Sequence, residues 1–261
     1  MMNPAAKNYS RAIDLNARAS ATYAAKLAET EALLLQAAQT HAGKITQANS
    51  LGAEDVVIAH LVQTLKIDIP AFVLETGKLN PETLALMDIM KSELGDKFTI
   101  FRPNNESVIQ FVAKEDKGDG IEPMYKSIAL RKACCHIRKI EPLDRALKGK
   151  TAWVTGLRRE QSGARADVPL LDESEFETKP EGQGRFKFNP LANWTWGDVW
   201  HYIKINNVAY NPLHDQFFPS IGCAPCTRAI SLGEDFRAGR WWWEANLDGG
   251  AAKECGLHVA A

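Results

Sequence analysis

Residues 44–65 read KITQANSLGAEDVVIAHLVQTL, and their reading decides the fold. Lys44–Asn49 is a short strand-like run, Ser50-Leu-Gly-Ala-Glu-Asp55 is a turn of small and acidic residues, and Ala53–Leu65 is helical in its apolar pattern. A strand passing into a helix through small residues is the opening of a βαβ unit. It sets main-chain amides and a helix N-terminus at the strand's C-terminal end, where anions bind. A turn of this kind is also the ordinary connection in any α/β protein, so a ligand must be argued from other residues.

The alternation continues outward. Ile69–Leu74 predicts a strand, Pro81–Leu94 a helix with Asn80 as cap and Pro81 in its first turn, Phe98–Phe101 a strand and Glu106–Ala113 a helix. Past the polar stretch Lys114–Gly120, helices are predicted over Glu122–Ile140 and Pro142–Leu147, then a strand over Thr151–Thr155 and a charged loop from Gly156 to Phe176. Phe186–Phe188 reads as extended and Trp196–Asn206 as helical. Strands and helices alternating at these lengths imply right-handed βαβ units and a mainly parallel sheet flanked by helices. Upstream, Asn8–Ala42 repeats Ala and Leu at helical spacing. The expected division is an N-terminal helical segment 1–43, an α/β domain 44–246, and a mobile Gly- and Ala-rich tail 247–261.

The 261 residues, 45% apolar and 24% charged, suffice for a full core. With 31 basic and 32 acidic residues the net charge is −1, so no global field recruits nucleic acid or a membrane, and any anion site must be local. The N-terminus has neither a signal-peptide h-region nor a spanning segment, and the expectation is a cytoplasmic protein. Five cysteines, none before residue 134, do not form a secreted disulfide framework.

Cys134-Cys135 falls in a predicted helix, and Cys223-Ala-Pro-Cys226 in a later loop. Four thiolates so arranged can surround one metal centre. A redox dithiol, simple packing and zinc are the rival readings. Adjacent cysteines on one helix suit a zinc tetrahedron poorly, whereas a 4Fe-4S cluster spreads its ligands over separate irons. Lys139 follows Cys135 by one helical turn and projects from the same face, placed to join a cluster to an anionic substrate. Gly156-Leu-Arg158-Arg159-Glu-Gln-Ser162-Gly-Ala-Arg165 follows a strand, and Phe236-Arg-Ala-Gly-Arg-Trp-Trp-Trp243 adds Arg237 and Arg240. Guanidinium groups match sulfate and phosphate oxygens in pairs, and the three tryptophans read as packing that holds the segment. In the tail, Lys253 and His258 can lower the pKa of Cys255, and Gly256 gives its backbone freedom; it is the thiol left over for nucleophilic work.

The turn at Ser50 resembles the phosphate loop of the adenine nucleotide α-hydrolase (PP-loop) superfamily, a Rossmann-like α/β fold, but Leu51 and Ala53 depart from Ser-Gly-Gly-x-Asp-Ser and argue against ATP cleavage. Joined by Leu74-Glu-Thr-Gly77, Cys134-Cys135, Gly-x-Arg-Arg-x-Gln-Ser, Cys223-x-x-Cys226, Arg237-Ala-Gly-Arg240-Trp and Lys-Glu-Cys255-Gly-Leu-His258, it resembles the assimilatory adenylyl-sulfate reductases from about residue 45 to 258. That resemblance implies attack of Cys255 on the sulfur of adenosine 5′-phosphosulfate, departure of AMP, and release of sulfite from a cysteine S-sulfonate by thioredoxin or glutaredoxin. It implies a 4Fe-4S cluster on Cys134, Cys135, Cys223 and Cys226, with Lys139 and His258 facing substrate. Ser50, Gly52, Asp55, Thr76, Gly156, Arg158, Arg165, Arg237 and Arg240 are then the expected substrate contacts. Full cysteine sets favour the unphosphorylated nucleotide, with use of the 3′-phosphorylated one as the alternative. An ATP-dependent tRNA sulfur transferase and a zinc-binding module are the rivals, and a homo-oligomer stays open.

Overall fold

The computed structural model describes residues 11–246, apart from 117 and 181. The helices are α1 (Ala12–Asn16), α2 (Tyr23–Thr40), α3 (Ala53–Thr64), α4 (Pro81–Leu94), α5 (Asn105–Glu115), α6 (Pro123–Lys126), α7 (Ile128–Cys135), α8 (Glu141–Ala146), α9 (Glu175–Thr178) and α10 (Trp196–Asn206). The strands are β1 (Ile45–Ala48), β2 (Ala71–Leu74), β3 (Phe98–Phe101), β4 (Ala152–Val154), β5 (Leu171–Asp172) and β6 (Phe186–Phe188). They form one six-stranded sheet in the order β3-β2-β1-β4-β6-β5, parallel except for β5 against β6.

Side chains alternate across the sheet as strand geometry requires. Ile45, Ala71, Val73, Ala152 and Val154 face the layer holding α3 and α4, where they meet Val57, Ile58, Leu61, Leu86 and Met90. Phe72 and Trp153 face the other side and pack on Leu143, Ala146 and Leu147. Strand order reverses between β1 and β4, and at such a switch point the loops leaving the strands diverge and open a crevice. Leu51, in the turn after β1, takes φ +63° and is fully buried, so apolar burial offsets a backbone cost on the order of 1 kcal/mol.

Three expectations need correction. The helix expected over Glu122–Ile140 breaks at Ser127, whose backbone is extended and whose hydroxyl accepts the amide of Leu130 to start α7 afresh. Beyond Cys135 the chain does not stop and restart at Pro142; it continues through a π turn, His136–Ile140, into α8. Proline at 142 cannot bond the carbonyl one turn back and its ring would strike it, and the wider turn relieves that clash. Asn80 occupies the cap position of α4, but its side chain makes no cap hydrogen bond. The loop after β4 holds two short 3₁₀ turns and edge strand β5. No helix among the described residues is long and apolar enough to cross a membrane.

The N-terminal helices share the central core through Ala12, Leu34 and Ala37. They are tied down by Asp198, whose fully buried carboxylate accepts from the Ser20 amide (2.7 Å), the Thr195 amide (3.0 Å) and Lys26 Nζ (2.8 Å). Burial pushes that carboxyl's pKa up, but Lys26 and the two amides outweigh burial and hold it below the ordinary carboxylate range. The folded pKa therefore lies below the unfolded one, so this stabilisation is complete above about pH 4 and is lost as pH falls further. Asp198→Asn should cost on the order of 2 kcal/mol at pH 7 and flatten the loss between pH 5 and pH 3. Thermal unfolding of both proteins across that range checks this, and parallel pH profiles would count against it.

Candidate active-site cleft

The crevice at the ends of β1, β2 and β4 is a cleft of about 1120 Å³. Ser50 and Asp55 come from the first turn, Thr76 follows β2, Gly156 follows β4, and Lys139, Arg165, Arg237 and Arg240 reach in from other segments. The structure thus gathers eight of the expected residues around one space. Its apolar wall includes Phe72, Leu143, Trp153 and Ile221, which the sequence reading did not single out. Strand alternation was the available signal for Trp153, since its neighbours Ala152 and Val154 point into the core.

Asp55 organises the first turn. Its Oδ2 accepts from both the amide and the hydroxyl of Ser50. Its Oδ1 lies against Gly156, where an added Cβ would come within 2.5 Å, so only glycine lets the two loops meet. Burial raises the Asp55 pKa to about 6 despite the bonds from Ser50. Neighbouring Glu54 goes the other way: burial pushes it up, but Arg158 and Gln161 outweigh burial and hold it ionised. Gly52 caps α3 with an extended backbone and is not on the cleft wall.

Arg158 is not brought to the cleft. Its side chain has no exposure; Nε donates to Glu54 Oε1 at 2.9 Å, and Nη1 reaches Glu160 Oε2 and the Trp194 carbonyl at 3.3 Å. The rings of Trp196 and Phe236 lie against it. Arg158 therefore holds the loop to α3, and the anion-facing work is left to Arg165. Gln161 joins the two, accepting from Arg165 Nη1 at 2.6 Å and donating to Glu54 Oε1 at 3.0 Å. Four cations thus line the cleft while both of its carboxyl side chains, Glu54 and Asp55, are held by protein donors, which makes the cavity a local anion trap in a nearly neutral chain.

Next to the cleft, Cys134, Cys135, Cys223 and Cys226 are all buried, all free of disulfides, and line one small pocket with Arg131, Arg138 and Lys139. Lys139 belongs to the walls of both spaces. Burial raises the thiols of Cys134 and Cys226, the latter to about 12. Cys223 Sγ is 3.2 Å from Thr76 Oγ1, which links the cysteine pocket to the strand end of the cleft. Trp241 packs on the same cysteines with its Nε1 buried and unpartnered among the described residues. Among those residues no three His, Cys, Asp or Glu side chains converge on a point that would hold a single ion. Cys255 and His258 lie outside the described residues.

These placements separate two arginines by phenotype. Arg158→Ala should lose on the order of 3 kcal/mol of stability, because Glu54 is left buried and unpaired. Arg165→Ala should keep its thermal midpoint and weaken AMP binding about tenfold. Calorimetry on both variants checks the split, and the reverse pattern would exclude it.

The residue 44–229 segment matches the family model described as the phosphoadenosine phosphosulfate reductase domain. A protein of Burkholderia cepacia named adenosine 5′-phosphosulfate reductase is 48% identical over 236 residues, covering 90% of this chain and 88% of that one. The protein of the same name from Allochromatium vinosum is 46% identical over 214 residues, covering 82% and 78%. Among solved structures, the phosphoadenylyl-sulfate reductase of Candida auris in its phosphate complex superposes with TM-score 0.60 at 26% identity, over 77% of this chain and 90% of that one. Candida glabrata FMN adenylyltransferase, 13% identical with TM-score 0.56 over 96% and 84%, shares the fold alone. The parallel sheet, the cleft at its switch point and the match across most of the chain agree: the chain belongs to the phosphoadenosine phosphosulfate reductase family, on the Rossmann-like adenine nucleotide α-hydrolase fold.

Proposed function

We propose that this chain reduces adenosine 5′-phosphosulfate to sulfite and AMP in sulfate assimilation. The observation that carries the reading is the joining of a cationic nucleotide-sized cleft to a pocket of four buried thiols through one shared side chain, Lys139. The relatives named for this substrate cover most of the chain, which supports the same substrate here.

The thiols of Cys134, Cys135, Cys223 and Cys226 would hold a 4Fe-4S cluster. Their soft donor set, their spread around a pocket instead of convergence on one point, and the orphaned Trp241 donor beside them all suit a guest with several irons and acceptor sulfurs. When bound, such a cluster supplies an anionic, polarisable wall beside the substrate. Lys139, between that wall and the cleft, balances charge on both sides. Arg165, Arg237 and Arg240 hold the phosphosulfate oxygens, Trp153 and Phe72 offer apolar surface to the base, and the Ser50 turn receives the nucleotide.

Cys255 then attacks the sulfate sulfur as a thiolate. A sulfur–sulfur bond forms, the bond from sulfur to the bridging oxygen breaks, and AMP leaves with that electron pair. A dithiol protein, thioredoxin or glutaredoxin by class, attacks Cys255 Sγ and expels sulfite. Its second thiol resolves the mixed disulfide, so two thiols are oxidised to one disulfide as sulfur is reduced.

The test separates the fifth cysteine from the other four. With substrate labelled in its sulfate and no dithiol present, wild type should carry one sulfonate adduct on the peptide containing Cys255, seen by mass spectrometry. Cys255→Ser should keep its iron and sulfide, bind substrate nearly as wild type does, and form no adduct. Cys135→Ser and Cys226→Ser should lose iron and stability. An adduct on Cys223 or Cys226, or sulfite turnover by Cys255→Ser, would overturn the assignment.

Lys139→Ala should retain its iron, yet slow adduct formation or weaken substrate binding about tenfold, since it touches both sites without being a ligand. Single-turnover rates at matched iron content measure this. Unchanged rates and affinity would remove the lysine from the mechanism.

A further inference from the structure

Arg240 crosses the boundary between the cleft and the cysteine pocket, and its position is set by contacts that face away from the substrate. Nη1 donates to Ser220 Oγ at 3.2 Å and to the Ile221 carbonyl at 3.3 Å. The side chain lies over Gly222, where an added Cβ would come within 2.5 Å of Nη2. Its Nε is buried and has no hydrogen-bond partner among the described residues. These bonds are long for a buried guanidinium, so they do not by themselves fix the group.

The remaining restraint is Trp241. Its ring centroid is 4.7 Å from the Arg240 Cζ and also 4.7 Å from the Arg131 Cζ, so one indole serves two guanidinium groups. The ring is fully buried and its backbone sits at φ +44°, a costly conformation for a bulky residue that the surroundings must enforce. They do so through the Trp241 amide, which donates to the Cys226 carbonyl at 3.2 Å, and through the bridge between Thr227 and Arg240. Arg131 is held in turn by Glu244, which accepts from Nε at 2.7 Å and from Nη2 at 3.0 Å with both side chains buried. Arg131 also lies on α7, the helix that carries Cys134 and Cys135.

We propose that Glu244, Arg131 and Trp241 form a strut that positions Arg240 on the cleft wall, so that affinity for the substrate's anionic end depends on residues that never touch it. The strut rests on the reading of Arg240 as a substrate contact. Glu244 neutralises Arg131 and lets two cations share one buried ring; without it, Arg131 would repel Arg240 across the indole. All three are positioning residues.

The experiment is a double-mutant cycle in the full-length, iron-loaded protein made non-turning by Cys255→Ser. Dissociation constants for adenylyl sulfate and for adenosine are measured by calorimetry at matched iron content. Trp241→Leu and Glu244→Gln should each raise the constant for adenylyl sulfate about three- to tenfold, while that for adenosine stays unchanged. Trp241→Phe should recover most of the loss. In an Arg240→Ala background neither substitution should add anything. Additive losses in that background, or adenosine affinity falling in parallel, would overturn the strut. If Arg240→Ala alone leaves adenylyl sulfate binding intact, the contact assigned to Arg240 fails first and the strut with it. Should Trp241→Leu fail to accumulate, Glu244→Gln, which preserves volume, decides by the same criteria.

Discussion

Arg158 carries its charge with no exposure to water, and the contact that makes this tolerable, its bond to Glu54, fixes the two loops that define the cleft. Glu54 opens α3 and Arg158 follows β4, so the pair spans the switch point of the sheet. Desolvating two ions yields little net stability, yet separating them leaves a bare buried charge. The loops are therefore held in one relative position by a penalty for leaving it more than by a gain for taking it. Asp55, Gly156, Gln161 and Arg165 all inherit their geometry from that closure.

Around this frame, charge is sorted by depth. Carboxylates near the cleft are engaged by serine, glutamine or arginine donors, and the cations beside them face the open space. An entering dianion thus meets donors already oriented, with little reorganisation to be done on binding. The cysteine pocket extends the same logic, because Arg131, Arg138 and Lys139 stand around thiols that metal binding would convert to thiolates.

The sheet order and the cleft were legible because they follow from local signals repeated along the chain. Pro81 gave the start of α4, alternating apolar residues gave β1 to β4, and the basic segments following strands gave the anion wall. What stayed hidden needed long-range contact. Arg158 and Arg165 sit in the same basic loop with the same chemistry, and only the fold shows that Glu54 claims the first. Trp153 reads like any strand residue until the sheet gives it a face. The Asp198 anchor for the N-terminal helices joins residues far apart in sequence, beyond the reach of any spacing rule. The break at Ser127 was visible in principle, since serine followed by a helical run is a cap signal, but the surrounding apolar pattern masked it.

The π turn at His136–Ile140 has a consequence for chain length. Such a turn is an α-helix carrying one surplus residue. Removing any one of the five would restore ordinary winding and rotate everything after it by about 100° relative to α7. Leu143, Ala146 and Leu147 would leave Phe72 and Trp153, while Cys134 and Cys135 stayed where they were. Between the cysteine pair and β4, the chain therefore tolerates substitution far better than deletion, and the surplus residue is what allows a proline-bearing helix to serve the thiol pocket at one end and the sheet at the other.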